Sequence, residues 1–336
     1  MPAAPDVPAD PAPRTSPREW LRGPTFDVGL SLGVLALALA LGGAVLARPA
    51  LFVPVLLLDL WLLAYPHVAS TYTRIAFDRA SARRHWFLLL GLPPLVFAGT
   101  AGAAWLGGVV ALNTIYFYWQ SWHYTRQSYG IARAYRRDAL AEAVIYGFTA
   151  WGVLHRASQE PPEFYAAPLW SPPVPRFAAA AAGALALLTL AAWLHRRLRA
   201  ARRGEPRDTG HALFVLSHVV ITAVAYLLVE DITRGWLFLN IWHNAQYLLF
   251  VWAFNARQFA GGVDPARPFL SRLCQPDRVL HYAAVCLGLA TLFYLALGHM
   301  TAALDARVLP LVLVGHLAVN FHHYLVDAVI WRSPRR

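Results

Sequence analysis

Residues 308–331 read VLPLVLVGHLAVNFHHYLVDAVIW. The stretch is long enough to cross a hydrocarbon core, which takes about 20 helical residues. It also carries His316, Asn320, His323 and Asp327. Their spacing of four, three and four places them on one face of a helix. His322 is turned aside by about 100° on the same geometry. In hydrocarbon an unpaired polar group costs several kcal/mol, so this face must meet polar groups on other helices. The segment therefore predicts an all-α, polytopic membrane helix bundle with a polar interior.

The composition agrees. Apolar residues make up 58% of the 336-residue chain and charged ones 14%, against roughly 25% charged in soluble proteins. Too little charge is present to cover a water-facing surface, which excludes a soluble enzyme. Cys274 and Cys286 form neither a disulfide scaffold nor a CxxC motif.

Working outward from 308–331, nine further apolar stretches lie near 26–47, 51–73, 86–106, 109–128, 139–155, 176–195, 211–229, 236–256 and 279–298. About ten transmembrane helices are expected, the one at 139–155 being the shortest. All 29 basic residues are arginines. The N-terminal tail, the C-terminus and alternate connections hold 24 of them, including Arg74, Arg133, Arg207, Arg257 and Arg332. The opposite side holds only Arg48, Arg156, Arg176, Arg234 and Arg307. Such asymmetry puts both termini in the cytoplasm of a multi-pass protein of the cell inner membrane. The membrane accounts for the basic charge, so nucleic acid is not expected as a partner, whereas anionic membrane lipids are.

Residues 1–24, rich in proline and alanine, read as a disordered cytoplasmic tail. Residues 25–336 then form a single transmembrane helical domain. The first apolar run exceeds the length of a signal-peptide core, so it reads as a retained helix. The proline-rich connection 156–175 reads as an external interfacial loop.

Half of the apolar stretches carry polar stripes. Asn113, Tyr116, Gln120, His123 and Gln127 share one helix face; Asn240, His243, Asn244 and Tyr247 lie along another segment. His211, His218 and Thr222 lie in a third, and Asp59 precedes His67, Ser70, Thr71 and Arg74 in a fourth. Counting from the flanking arginines at about 1.5 Å per residue, His67, His123, His218 and His322 fall roughly 10–16 Å from the cytoplasmic boundary. His323 lies with them, while His243 and His316 fall deeper, on the order of 21–24 Å. Independent core histidines have no reason to agree in depth. A metal site in the cytoplasmic half is therefore expected, with His67, His123, His218, His322, His323 and Asp327 as ligands. Asp327, one turn beyond His323, can ligate or orient it. His243, His316, Gln127, Asp59 and Asn320 are further candidates for ligating or supporting positions.

Neutral imidazoles with a carboxylate suit iron, mono- or dinuclear, and also zinc or copper. Open coordination positions favour dioxygen activation at iron. A lipophilic substrate, a lipid or isoprenoid, would arrive through the bilayer, and an electron donor would complete the cycle. Two axial histidines holding haem b in an electron carrier are one alternative. A proton-coupled transporter using Asp59, His243 and His316 is another. No Walker sequence, GxSxG or HExxH occurs.

On His67, His123, His218, His243, His322 and His323 the chain resembles histidine-rich integral-membrane non-haem iron oxygenases. Its length and spread of histidines are similar to those of Brp/Blh-type β-carotene dioxygenases. Clustered histidines near the cytoplasmic face are similar to those of membrane desaturases and fatty-acid hydroxylases. The resemblance covers the architecture of the bundle. Desaturase-type HxxxH and HxxHH spacings are absent, so it implies an oxygenase, hydroxylase or desaturase class without naming a substrate.

Overall fold

The structure, a computed structural model, describes residues 19–159, 162–303 and 311–331. The C-terminal residues 332–336 and most of the expected tail lie outside them. The described residues are overwhelmingly helical: α1 Pro24–Ala47, α2 Pro49–Tyr72, α3 Arg79–Arg84, α4 Phe87–Tyr135, α5 Ala139–Ala157, α6 Arg176–Arg202, α7 Thr209–Leu228, α8 Ile232–Gln258, α9 Pro268–Leu273, α10 Val279–Ala303 and α11 Leu311–Ile330. Six of these, α1, α2, α4, α6, α7 and α10, are long and apolar enough to cross a membrane. The interior is inverted relative to a soluble protein. Asp59, His67, Gln120, Asn240 and His243 are buried, while Leu106, Phe177 and Leu280 stand exposed. Such an apolar exterior suits acyl chains rather than water.

Proline and glycine shape the helices that matter. Prolines open α1 and α2, where a missing N–H costs nothing. Further along α2, Pro66 cannot donate to the preceding turn, and that turn is widened to a π-helix over Leu60–Ala64. A straight α4 of 49 residues would measure about 74 Å, far more than the hydrocarbon thickness of about 30 Å. Gly108 breaks it, with φ 62° and ψ −154°, a conformation glycine reaches without a Cβ clash. Leu88 and His123, one on each arm, contact the adjacent residues His322 and His323 of α11. The two arms therefore run antiparallel.

α8 sits at the centre, buried along most of its length. Neither α8 nor α11 is among these six, because each carries a polar stripe. At the N-terminal edge, the Asp27 carboxylate accepts the backbone N–H groups of Leu21, Arg22 and Gly23 at 2.8–3.1 Å, tying down the start of α1.

The connection after α5, expected as an interfacial loop, sends a residue into the bundle. Glu163–Phe164 and Ala167–Pro168 pair antiparallel. Tyr165 and Ala166 between them have φ of 53° and 54°, the left-handed pattern of a two-residue type I′ hairpin. This drives Phe164, fully buried, against Phe117 and Trp236 at ring separations of 5.5 and 5.9 Å. The Asn113 amide donates to the Phe164 carbonyl at 3.2 Å. The hairpin plugs that end of the bundle.

At the arginine-rich end, Asp208 joins three helices. Arg136 bonds it at 2.9 Å, Arg197 pairs with it, and His211 Nδ1 lies 3.7 Å away. Burial alone would raise the Asp208 pKa, but the nearby His211 imidazole and the two guanidinium groups hold it below the usual carboxylate value. The folded carboxyl thus binds protons less readily than the unfolded one. Its stabilising contribution is complete above the ordinary carboxylate pKa of about 3.9 and is lost as pH falls below it. Thermal unfolding in detergent, followed from pH 6 downward, is expected to show this: Asp208→Asn lowers the midpoint at pH 6 and flattens its acid dependence. An Asp208→Asn midpoint falling with acid as steeply as wild type would count against the linkage.

Candidate metal centre

Four helices each place one histidine at the centre of the bundle: His67 from α2, His123 from the second arm of α4, His243 from α8 and His323 from α11. All four are buried. His323 Nε2 lies 2.8 Å from His67 Nε2 and 3.2 Å from His123 Nε2. The His243 ring stands 4.7 Å from His67 and 5.0 Å from His123. A ring nitrogen has one in-plane lone pair, so His323 Nε2 cannot accept well from two neighbours at once. A cation bound at about 2.0–2.1 Å sets adjacent ligand nitrogens about 2.8–3.4 Å apart across octahedral and tetrahedral geometry, the range of the spacings found.

The carboxylate side orients His323. Asp327 Oδ1 accepts from the Thr71 hydroxyl at 3.1 Å and from the Tyr247 hydroxyl at 2.6 Å. Thr71 Oγ1, its proton committed to Asp327, accepts from His323 Nδ1–H at 3.0 Å. That fixes the tautomer with Nε2 bare and aimed at His67 and His123. An imidazole oriented through its far N–H is the usual support of a metal ligand. Asp327 Oδ2 is 3.7 Å from His323 Nε2. Two overlapping sets thus have metal-holding spacing, His67–His123–His243 and His123–His323–Asp327. His123 belongs to both sets and has one lone pair to give as a neutral ring, so it can bind only one ion at a time.

A tyrosine packs on each of three histidines. Tyr247 lies 4.2 Å from His67, Tyr124 4.1 Å from His243 and Tyr324 4.2 Å from His123, by ring centroid. Tyr124 and Tyr324 each follow a histidine in sequence yet stack on a histidine of another helix. The His-Tyr steps at 123–124 and 323–324 were the available signal for this shell. Beside the cluster is a cavity of about 20 Å³, enough for one water-sized occupant. Its lining includes Leu60 and Ala64 of the π turn, Gln120, Asn240, His316 and Asn320. The polar stripes of α4, α8 and α11 therefore do face one another.

Several expected positions are placed differently. His218 donates from Nε2 to the Ile145 carbonyl at 3.1 Å and accepts at Nδ1 from Ser128 at 3.0 Å. Both its nitrogens are engaged away from the cluster, so the structure does not bring it to the other four. His322 is likewise saturated. In the π turn at the start of α4 the Leu92 N–H bonds to Phe87, and Pro93 has no N–H, which orphans the Leu88 carbonyl. His322 Nε2–H serves that carbonyl at 2.7 Å, and its Nδ1 accepts from the Tyr72 hydroxyl at 2.7 Å. Expected as a ligand, His322 is instead engaged by Leu88 and Tyr72 and does not join the cluster.

His243 belongs to the cluster rather than to a deeper layer. Its depth was measured from Arg257, but Arg74 stacks on Phe254, about one turn before that arginine, so Arg257 lies beyond the level used for α2. His316 lines the cavity and packs against the stacked pair Tyr65 and Tyr294, with ring centroids 5.7 and 5.6 Å away. Asn320 Nδ2 donates to the His316 carbonyl at 3.1 Å. Gln127 Nε2 donates to the His243 carbonyl at 3.2 Å, which positions α8 against α4. Asp59 finds its partners on α8, accepting from Asn240 and from Asn244. Asn240 in turn accepts from Tyr124 and Gln120. This network ends at Trp236, whose indole N–H donates to Gln120 at 2.7 Å.

Comparison with protein-family models, with curated proteins and with solved structures finds no match for the chain.

Proposed function

We propose that this is a multi-pass inner-membrane metal-dependent oxidoreductase with about ten spans and both termini in the cytoplasm. The observation that carries the reading is the meeting of His67, His123 and His323 through their Nε2 atoms at 2.8 and 3.2 Å, with His243 alongside. In this reading the four imidazoles hold one iron ion, and the Thr71–Asp327 pair orients His323. Bound there, iron would supply one-electron chemistry toward dioxygen, of oxygenase, hydroxylase or desaturase type. Zinc or copper fits the same donors less selectively.

The substrate in this reading is a lipid or isoprenoid entering from the side. Leu60 and Ala64 line the cavity, while Trp61 and Leu62 of the same π turn are exposed. One helix thickness therefore separates acyl chains from the cavity. An electron donor would act from the arginine-rich face. Haem b fits poorly, because a cavity of about 20 Å³ holds a water-sized occupant and not a porphyrin.

The test is spectroscopic. Protein loaded anaerobically with ferrous iron and exposed to nitric oxide is expected to give the paramagnetic resonance signal of a high-spin iron nitrosyl. Oxygen uptake by the same protein should rise on adding membrane lipid extract. Stoichiometric zinc with no nitrosyl signal would overturn the redox reading, and a Soret band with stoichiometric haem would replace it by the electron carrier.

A further inference from the structure

Away from the histidines, an open groove of about 590 Å³ lies between α9 and the first turns of α10. One wall is the α9 face Phe269, Arg272 and Leu273; the other is the α10 face His281, Ala284 and Val285. Both sets follow i, i+3, i+4 spacing, so each is one side of a helix. Arg278 closes the junction and also lines the groove. The floor is apolar and the rim basic.

The rim charges are uncompensated. Among the described residues no carboxylate lies within ion-pair distance of Arg272 or Arg278, whereas nearby Arg267 is paired with Asp264 at 2.8 Å. Arg278 makes only a long 3.4 Å contact to the Arg272 carbonyl. Asp277 adjoins Arg278 in the chain but forms no ion pair with either arginine. The groove lies at the start of α10, a helix apolar enough to span. Leu280 and Phe269 flank it with outward, exposed side chains. Phosphate-binding groups thus stand directly above an acyl-binding surface.

We propose that this groove is a specific site for an anionic phospholipid. The phosphate sits between Arg272 and Arg278, and one acyl chain runs along Phe269, Leu273, Ala284 and Val285. A zwitterionic lipid brings its own ammonium and leaves the two guanidinium charges unneutralised, so the site selects net negative headgroups. The inference is independent of the metal centre.

The experiment uses the full chain in nanodiscs of equal phosphatidylglycerol and phosphatidylcholine, released into native mass spectrometry. Wild type is expected to retain one phosphatidylglycerol. At about 1 kcal/mol of attraction per arginine near the surface, Arg272→Gln/Arg278→Gln should cut that retention by about tenfold or more. Arg199→Gln/Arg202→Gln removes the same charge from the exposed end of α6 and should leave it nearly unchanged. Val285→Trp fills the groove with the charges intact and should also abolish retention, whereas Arg272→Lys/Arg278→Lys should keep it. Equal losses in the two glutamine variants would reduce the site to general surface charge and overturn the proposal. Wild-type retention by Val285→Trp, or displacement of the lipid by excess inorganic phosphate, would overturn it as well. Should the Arg272→Gln/Arg278→Gln protein fail to fold, the Val285→Trp and lysine variants still decide.

Discussion

Replacing His323 by alanine is expected to strip the protein of metal. Wild type purified in detergent should carry about one equivalent of a transition metal by elemental analysis. His323→Ala should carry less than a tenth of that, since loss of even a supporting residue commonly weakens a metal site 10–100-fold. His323 is the position of choice because its Nε2 is the common neighbour of His67 and His123. Its other nitrogen is held by Thr71, which aims the ring at both neighbours. Thr71→Val should lower metal content less than His323→Ala, as it frees the ring without removing a donor.

The decisive contrasts are His218→Ala and His322→Ala. Each removes a buried histidine from the same bundle, so each should destabilise by roughly 1–3 kcal/mol through a polar group left without its partner, the Leu88 carbonyl for His322 and the Ser128 hydroxyl for His218. Both should leave the metal content at the wild-type level. If His218→Ala loses metal as completely as His323→Ala, the loss reflects general unfolding and the four-histidine centre is wrong.

The largest effect on stability is expected at Arg156. Its guanidinium, buried at the end of α5, bonds the carbonyls of Ala225, Val229 and Glu230 and the side chain of Gln159. These carbonyls lie where α7 ends in a π turn, and helix ends leave acceptors without internal partners. Arg156→Met keeps the bulk but abandons them. At about 1–3 kcal/mol per buried unsatisfied group, the cost is roughly 3–5 kcal/mol. The thermal midpoint in detergent should fall by more than for any single histidine variant named above.

Gly235 meets the same turn from the other side. A Cβ there would stand 2.1 Å from the Ala225 carbonyl oxygen, an impossible contact with backbone. Gly235→Ala must therefore push α8 from α7 and break the Arg156–Ala225 bond as well. The double variant should lose less than the sum of the two single losses, because both act on one carbonyl. Full additivity would show that the two residues act separately.

Much of this was legible in the chain. The stripes of α4, α8 and α11 identified the cavity walls, because helical periodicity fixes which side chains share a face. Periodicity does not say where a ring nitrogen finds its partner. His322 goes elsewhere because of Pro93, more than two hundred residues away, which frees a carbonyl for it. His218 stays apart because Ile145 and Ser128 engage it from two other helices. Depth counted along a single helix misplaced His243, since helices extend past the boundary by different amounts. Phe164 gave no signal either, for a short hairpin inserting one ring has no repeat to detect.

His67 and His323 touch, although 256 residues separate them. A ribosome therefore adds 256 residues after His67 before the pocket can close, and until then the earlier imidazoles wait without their last neighbour. A nascent chain released before α11 emerges would insert most of its helices and still be unable to assemble the centre.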